Sequence, residues 1–268
     1  MRTSSTVLAV LVGAFLAWSL PSAPALALDA DQVLKEERPS IKEMWKRFFS
    51  FRKKGQEQEA VSALEYAADQ GDHAAQWKLG RMYQTGDGVK KDPGAAIRFF
   101  RQIADNYTEV QPGSADWQFT ANAMVALGRY YRDGAPEADL DPNPAEAIVM
   151  FTTAATYFRH PDAQFELARM YLADEDSQGD VIQAARMLKA ASDNGHAGAT
   201  ALLGQMIFEG DHLQRDPVRG LYMIMSAQRR AGASDLPWIT TMQEEAFSLA
   251  TEDERRMAIT QLQLLATQ

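Results

Sequence analysis

The chain has 268 residues, with 27 basic against 36 acidic side chains, a formal net charge of −9 and no cysteine. The carboxylate excess argues against electrostatic binding to nucleic acid or to anionic lipid, and the lack of cysteine excludes disulfides and thiolate metal centres. The length would allow two compact domains, but the repeat described below runs through most of it, so one elongated helical domain is the better reading.

Arg2 is followed by an apolar run from Val7 to Trp18 and then by Pro24-Ala25-Leu26-Ala27, with small residues at both positions preceding a cut. This is the pattern of a secretory signal peptide over residues 1–27, cleaved between Ala27 and Leu28. The apolar run is shorter than the roughly 20 residues a spanning helix needs. The mature chain is therefore expected to start at Leu28, to carry a charge of −10 once Arg2 is gone, and to be a soluble periplasmic protein without membrane insertion. Residues 28–39 read as a flexible leader.

From Ile41 to Phe51 the segment IKEMWKRFFSF has helical periodicity and runs into the basic turn Arg52, Lys53, Lys54, Gly55. Its partner helix carries Ala60, Ala63, Leu64, Ala67 and Ala68 on one stripe, and Gly71 closes it. Together they read as a degenerate opening helix pair.

A repeated frame starts at Ala75. Ala75, Leu79, Gly80 and Tyr83 recur as Ala123, Leu127, Gly128, Tyr131, then as Ala163, Leu167, Ala168, Tyr171, and finally as Ala199, Leu203, Gly204, Ile207. Offsets of four, five and eight residues place each set on one face of a helix, and the small residues admit a close partner. That partner is announced by Asp92-Pro93, Asn143-Pro144 and Asp216-Pro217, a capping side chain followed by proline in the first turn. Its apolar stripe is Ala96, Phe99, Phe100, Ile103 in the first copy, and Ala147, Met150, Phe151, Ala154 in the second. The third and fourth copies have Ala184, Met187, Leu188, Ala191 and Gly220, Met223, Ile224, Ala227. No pair can bury both its stripes alone, so the predicted fold is all-α, an α/α solenoid of stacked helix pairs over residues 40–230.

Two turn-rich insertions, Asp105 to Asp116 and Asp133 to Pro142, lengthen the second copy and are expected to be exposed. Residues 231–268 read as a C-terminal capping pair: a helix from Leu236 to Ala250 that buries Trp238, Phe247 and Leu249, then a last helix opened by a Thr251/Glu254 capping box.

The chain offers little chemistry. His73 and His196 lie in matching junctions and His160 precedes a repeat helix, an arrangement that does not converge on a metal. Thr85-Gly86-Asp87-Gly88 lacks the alternating acids of a calcium loop. No phosphate loop, nucleophile elbow or dinucleotide fingerprint occurs. No catalytic, cofactor or metal residue is nominated, and no enzyme is expected. One pattern stands out: the position after the Leu-Gly pair is Arg81, Arg129, Arg169 and then Gln205, a ladder along one surface of the stack. It either reads carboxylates on a partner protein or is paired locally with acids of its own and the next copy, the commoner fate of surface charge.

The frame A-x-x-x-L-G-x-x-Y, followed by G-x-G-V-x-x-D and an Ala-rich aromatic helix, resembles the Sel1-like repeat, a relative of the tetratricopeptide repeat. That resemblance implies a protein-binding superhelix. The third copy departs from it, with Ala168 for Gly and no G-x-G turn within Ala173 to Gly179. A narrower similarity, carried by the Asn194-Gly195-His196-Ala197-Gly198-Ala199 junction and the tail WITTMQEEAFSLATEDERR, is to the ExoR family of periplasmic regulators of exopolysaccharide production. It implies a non-enzymatic repressor that binds the periplasmic domain of an ExoS-like sensor histidine kinase, holds an ExoS/ChvI-type two-component system off, and is removed by a periplasmic protease, raising exopolysaccharide and lowering motility. Asp133 to Pro142 and Ala173 to Gly179 are the expected footholds for that protease. The alternatives are a generic periplasmic scaffold and a cell-wall or β-lactam-modifying enzyme, whose relatives carry the paired cysteines that this chain lacks.

Overall fold

The computed structural model describes residues 39–173, 178–210 and 212–265. The expected signal peptide, its cleavage site at Ala27 and Leu28, and all of the leader but Pro39 lie outside these residues, as do positions 174–177 of one expected protease foothold. Contacts separate Met1–Pro39 from Ser40–Gln268, and the second unit is described by itself.

Among the described residues there are twelve α-helices and no strand: α1 (Ile41–Lys53), α2 (Glu57–Asp69), α3 (His73–Thr85), α4 (Pro93–Ala104), α5 (Ala115–Asp133), α6 (Pro144–Thr156), α7 (Pro161–Ala173), α8 (Gln178–Asp193), α9 (Ala197–Glu209), α10 (Pro217–Arg230), α11 (Leu236–Leu249) and α12 (Glu252–Leu265). Each odd-numbered helix up to α9 packs on the even-numbered one after it, and each pair packs on the next, as a solenoid requires. At the end of the stack α10 contacts both α11 and α12.

The helix starts follow from the sequence. Asp92 accepts a bond from the Ala95 N–H at 2.9 Å, Asn143 from Glu146 at 3.2 Å and Asp216 from Arg219 at 3.0 Å, each with proline in the first turn. At α12 the capping box closes in both directions, Glu254 accepting from the Thr251 N–H at 2.8 Å and Thr251 from the Glu254 N–H at 3.2 Å. Gly86 and Gly88 both adopt left-handed backbone in the turn after α3, which explains why that turn needs glycine twice.

The small residues of the frame are where the paired helices meet. A Cβ at Gly80 would lie 2.5 Å from the Phe100 ring, and one at Gly128 would lie 2.5 Å from the Phe151 ring. In the third pair Ala168 replaces the glycine, and Leu188 replaces the ring; both are fully buried. The departure at Ala168 is thus matched across the helix pair, since the branched aliphatic leaves the space that a phenyl ring fills. In the fourth pair Gly204 and Gly220 face one another so closely that a Cβ on Gly220 would lie 2.6 Å from the Gly204 carbonyl oxygen.

Both insertions are largely exposed, as expected, but each has an anchor. In 105–116 Val110 is buried, and Tyr107, together with Trp117 just beyond, joins Tyr157 and Phe158 in an aromatic cluster, with Trp117 and Phe158 at 4.5 Å. The 133–142 insertion is likewise tied down, by paired backbone bonds between Ala135 and Leu140 (2.8 and 3.2 Å) and by burial of Ala135. In both cases an apolar side chain inside a polar loop supplied the anchor. Leu249, assigned to the capping core, is instead 73% exposed, because the burial face of α11 runs through Ile239 and Ala246.

Candidate protein-interaction surface

The four ladder positions occupy equivalent places on α3, α5, α7 and α9, but their side chains do not form a row of equivalent groups. Arg81 is exposed, donates to the Gln84 amide oxygen at 2.7 Å and lies over the Trp77 ring. Gln205 donates to Glu209 one turn on, at 2.9 Å. Arg129 and Arg169, by contrast, converge on one carboxylate, Glu166. Arg129 Nε donates to its Oε1 at 2.7 Å, Arg132 Nη1 donates to Oε2, and Arg169 Nη1 lies 3.5 Å from Oε2.

Glu166 is only 4% exposed, and a lone carboxylate there would be costly to bury. Two charge-assisted bonds from α5 remove that cost and lock α5 to α7. The neighbours extend the network: Asp162 lies 3.5 Å from Arg129, and Asp133 accepts two bonds from Arg132. The Asp133 contact holds Arg132 more firmly protonated than usual, and Arg132 in turn keeps the Asp133 carboxyl below the ordinary carboxylate range. Arg132 and Glu166 escaped the sequence reading because neither recurs in the frame; the signal available was a glutamate at a position on the apolar face of α7.

The histidines also take structural places. His196 occupies the capping position of α9, where Nδ1 accepts from the Ala199 N–H at 3.1 Å, as Asp72 Oδ1 does from Ala75 at 2.7 Å. His160 occupies the corresponding position before α7, and its Nε2 pairs with Asn122 at 3.0 Å. His73 lies one residue inside α3, so the two junctions match in sequence but place their histidines differently. Burial pushes both His160 and His196 below the ordinary imidazole value, which at His196 suits a neutral ring whose Nδ1 accepts the capping bond. Among the described residues no group of three or more histidine, aspartate or glutamate side chains could hold a metal ion.

Asp87, in the Gly-x-Gly turn, is the centre of a second network. It accepts from Arg52 of α1 at 2.8 Å and from Lys78 at 3.2 Å, and Arg52 also bonds Glu57. These partners keep Asp87 below its usual pKa, the Arg52 bond contributing most. The turn is therefore a clasp between the opening pair and the first full copy. Buried glutamines make a further unforeseen link: Gln76 and Gln164, each one residue after the frame alanine, donate to the last-turn carbonyls of Ala68 and Ala155 at 3.1 and 3.3 Å.

The described residues form a stack of helix pairs with charged outer faces. A family model described as Sel1 repeat matches residues 73–107, 121–156, 161–196 and 197–223. The chain is 40% identical over 241 residues to the exopolysaccharide production negative regulator of Rhizobium meliloti (strain 1021), covering 90% of this chain and 87% of that one. It is 35% identical over 260 residues to the protein of the same name from Rhizobium leguminosarum bv. viciae, covering 96% and 94%. A Sel1 repeat protein from Oxalobacter formigenes superposes with a TM-score of 0.60 at 22% identity, over 89% of this chain and 91% of that one, which speaks to the fold. Such a fold and such relatives point to a non-enzymatic role in protein interaction. The chain belongs to the Sel1-repeat family and, within it, to the group that contains these two regulators.

Proposed function

We propose that this chain is a periplasmic negative regulator of exopolysaccharide production that binds the periplasmic domain of an ExoS-like sensor histidine kinase and so holds an ExoS/ChvI-type two-component system off. The observation that carries the reading is the reach of the similarity: 40% and 35% identity to negative regulators extends over nine-tenths of this chain or more, including the tail beyond the last repeat. A stack of helix pairs supports it, since it presents a long surface to one partner. The signal peptide over residues 1–27, the cut between Ala27 and Leu28, and release by a periplasmic protease belong to the same proposal.

The test is capture of the isolated periplasmic kinase domain by the chain from Leu28 to Gln268, at low and high salt. Specific capture is the expected result. Arg81 and Arg169 are the exposed arginines of the ladder, and changing both to Glu is expected to weaken capture if that face is the contact. No capture with both partners folded would leave a scaffold with another partner.

A further inference from the structure

Charge is distributed along this chain very unevenly. Residues 41–54 hold six basic side chains and one acidic, a net of +5, which leaves −14 on the rest of a chain whose total is −9. This basic segment is α1 and its C-terminal turn, in the first helix pair of the described stack. Met44 and Phe48 are buried toward α2. On the opposite side Lys42, Lys46, Phe49 and Lys53 fall within about 60° of one another and run about 17 Å along the helix. All four are exposed, Phe49 at 63%. The Trp45 ring flanks Phe49 at 5.8 Å.

The two arginines of α1 are engaged within the fold, Arg47 with Glu43 at 2.7 Å and Arg52 with Glu57 and Asp87. Among the described residues the three lysines of the stripe have no ion-pair partner. That division decides what the surface fits. Lysine is depleted in protein interfaces, where arginine and aromatic anchors dominate. A phenyl ring among lysines, whose long stems keep their ammonium groups in the headgroup layer, is the composition of a helix that lies on an anionic bilayer.

We propose that the Lys42–Lys46–Phe49–Lys53 face of α1 docks this protein peripherally on an anionic lipid surface. The net charge of the whole chain conceals this site, because exposed charges act over a Debye length of only about 8 Å at physiological salt. The acidic remainder is repelled by the same surface, so contact through α1 is the favoured orientation. Among the described residues no helix is long and apolar enough to cross a membrane.

The experiment is co-sedimentation of the chain from Leu28 to Gln268 with vesicles of phosphatidylcholine alone or with 30% phosphatidylglycerol (about a third of the lipid anionic, a headgroup charge that attracts lysine). Binding is expected only with the anionic lipid and should fall as salt rises. The triple variant Lys42→Gln, Lys46→Gln, Lys53→Gln should lose on the order of a hundredfold in partitioning, and Phe49→Ala about tenfold. All four side chains face solvent, and an unchanged thermal melt confirms folding. Sedimentation no greater than with phosphatidylcholine alone overturns the proposal, as does binding that the triple variant retains. If vesicles do not bind but the triple variant loses capture by the kinase domain, the stripe is a protein interface and the lipid assignment is wrong.

Discussion

Glu166 shows how one side chain joins two copies of a repeat. Its carboxylate is almost out of solvent and accepts from Arg129 and Arg132, both on α5, while it belongs to α7. Replacing it with alanine removes both bonds, leaving Arg129 and Arg132, which are partly exposed, with Asp162 and Asp133 alone. Glu166→Ala is therefore expected to lower stability by about 2 kcal/mol in urea unfolding, whereas Arg169→Ala, whose contact is longer and exposed, should cost well under about 1 kcal/mol. His160 and His196 set a pH dependence. Their folded pKa lies below the unfolded value of about 6.5, so the unfolded chain binds more protons between the two values and stability rises with pH there. Stability is expected to be full above about pH 7 and to fall as pH drops through 6.5 toward the depressed folded values. Unfolding free energy measured from pH 8 to pH 5 should show this slope, and His160→Gln with His196→Gln should flatten it.

At the scale of the helix pair, the close contact between frame glycine and partner ring is the determining feature. Gly128→Ala places a methyl group against the Phe151 ring and is expected to cost about 2 kcal/mol. Adding Phe151→Leu recreates the Ala168/Leu188 combination already present one copy later, so the double variant should recover part of that loss. Chemical denaturation of the two single variants and the double one gives the coupling, and purely additive losses would show that the third copy tolerates Ala168 for another reason. Most of this element-level architecture was legible in the sequence. Caps, prolines, glycine turns and both apolar stripes are local signals with fixed spacing. Glu166, Gln76, Gln164 and the Asp87 clasp were not legible, because each depends on which residues of neighbouring copies come together, and spacing along one helix carries no such information. The lysine stripe was legible as a pattern but masked by a whole-chain charge of opposite sign.

For the whole molecule, each pair depends on its neighbours, so the ends matter most. Phe208, Leu221 and Ile224 are buried against the final pair, together with Ala246, Ala250 and Ala258. A chain ending at Arg230 would expose that cluster. It is expected to melt lower than the full chain and to aggregate on heating, as static light scattering would register. The alternation of Gly with Phe in two pairs and Ala with Leu in the next also bears on how such a chain finds its fold. Four near-identical frames invite a nascent helix to dock one copy out of step. Were α7 to settle against α6 in the groove that belongs to α5, Ala168 would meet the Phe151 ring where only a hydrogen fits, and the slipped arrangement would be rejected before it could propagate. The small differences between copies thus act as a registration key, guarding a repetitive chain against assembly in the wrong order.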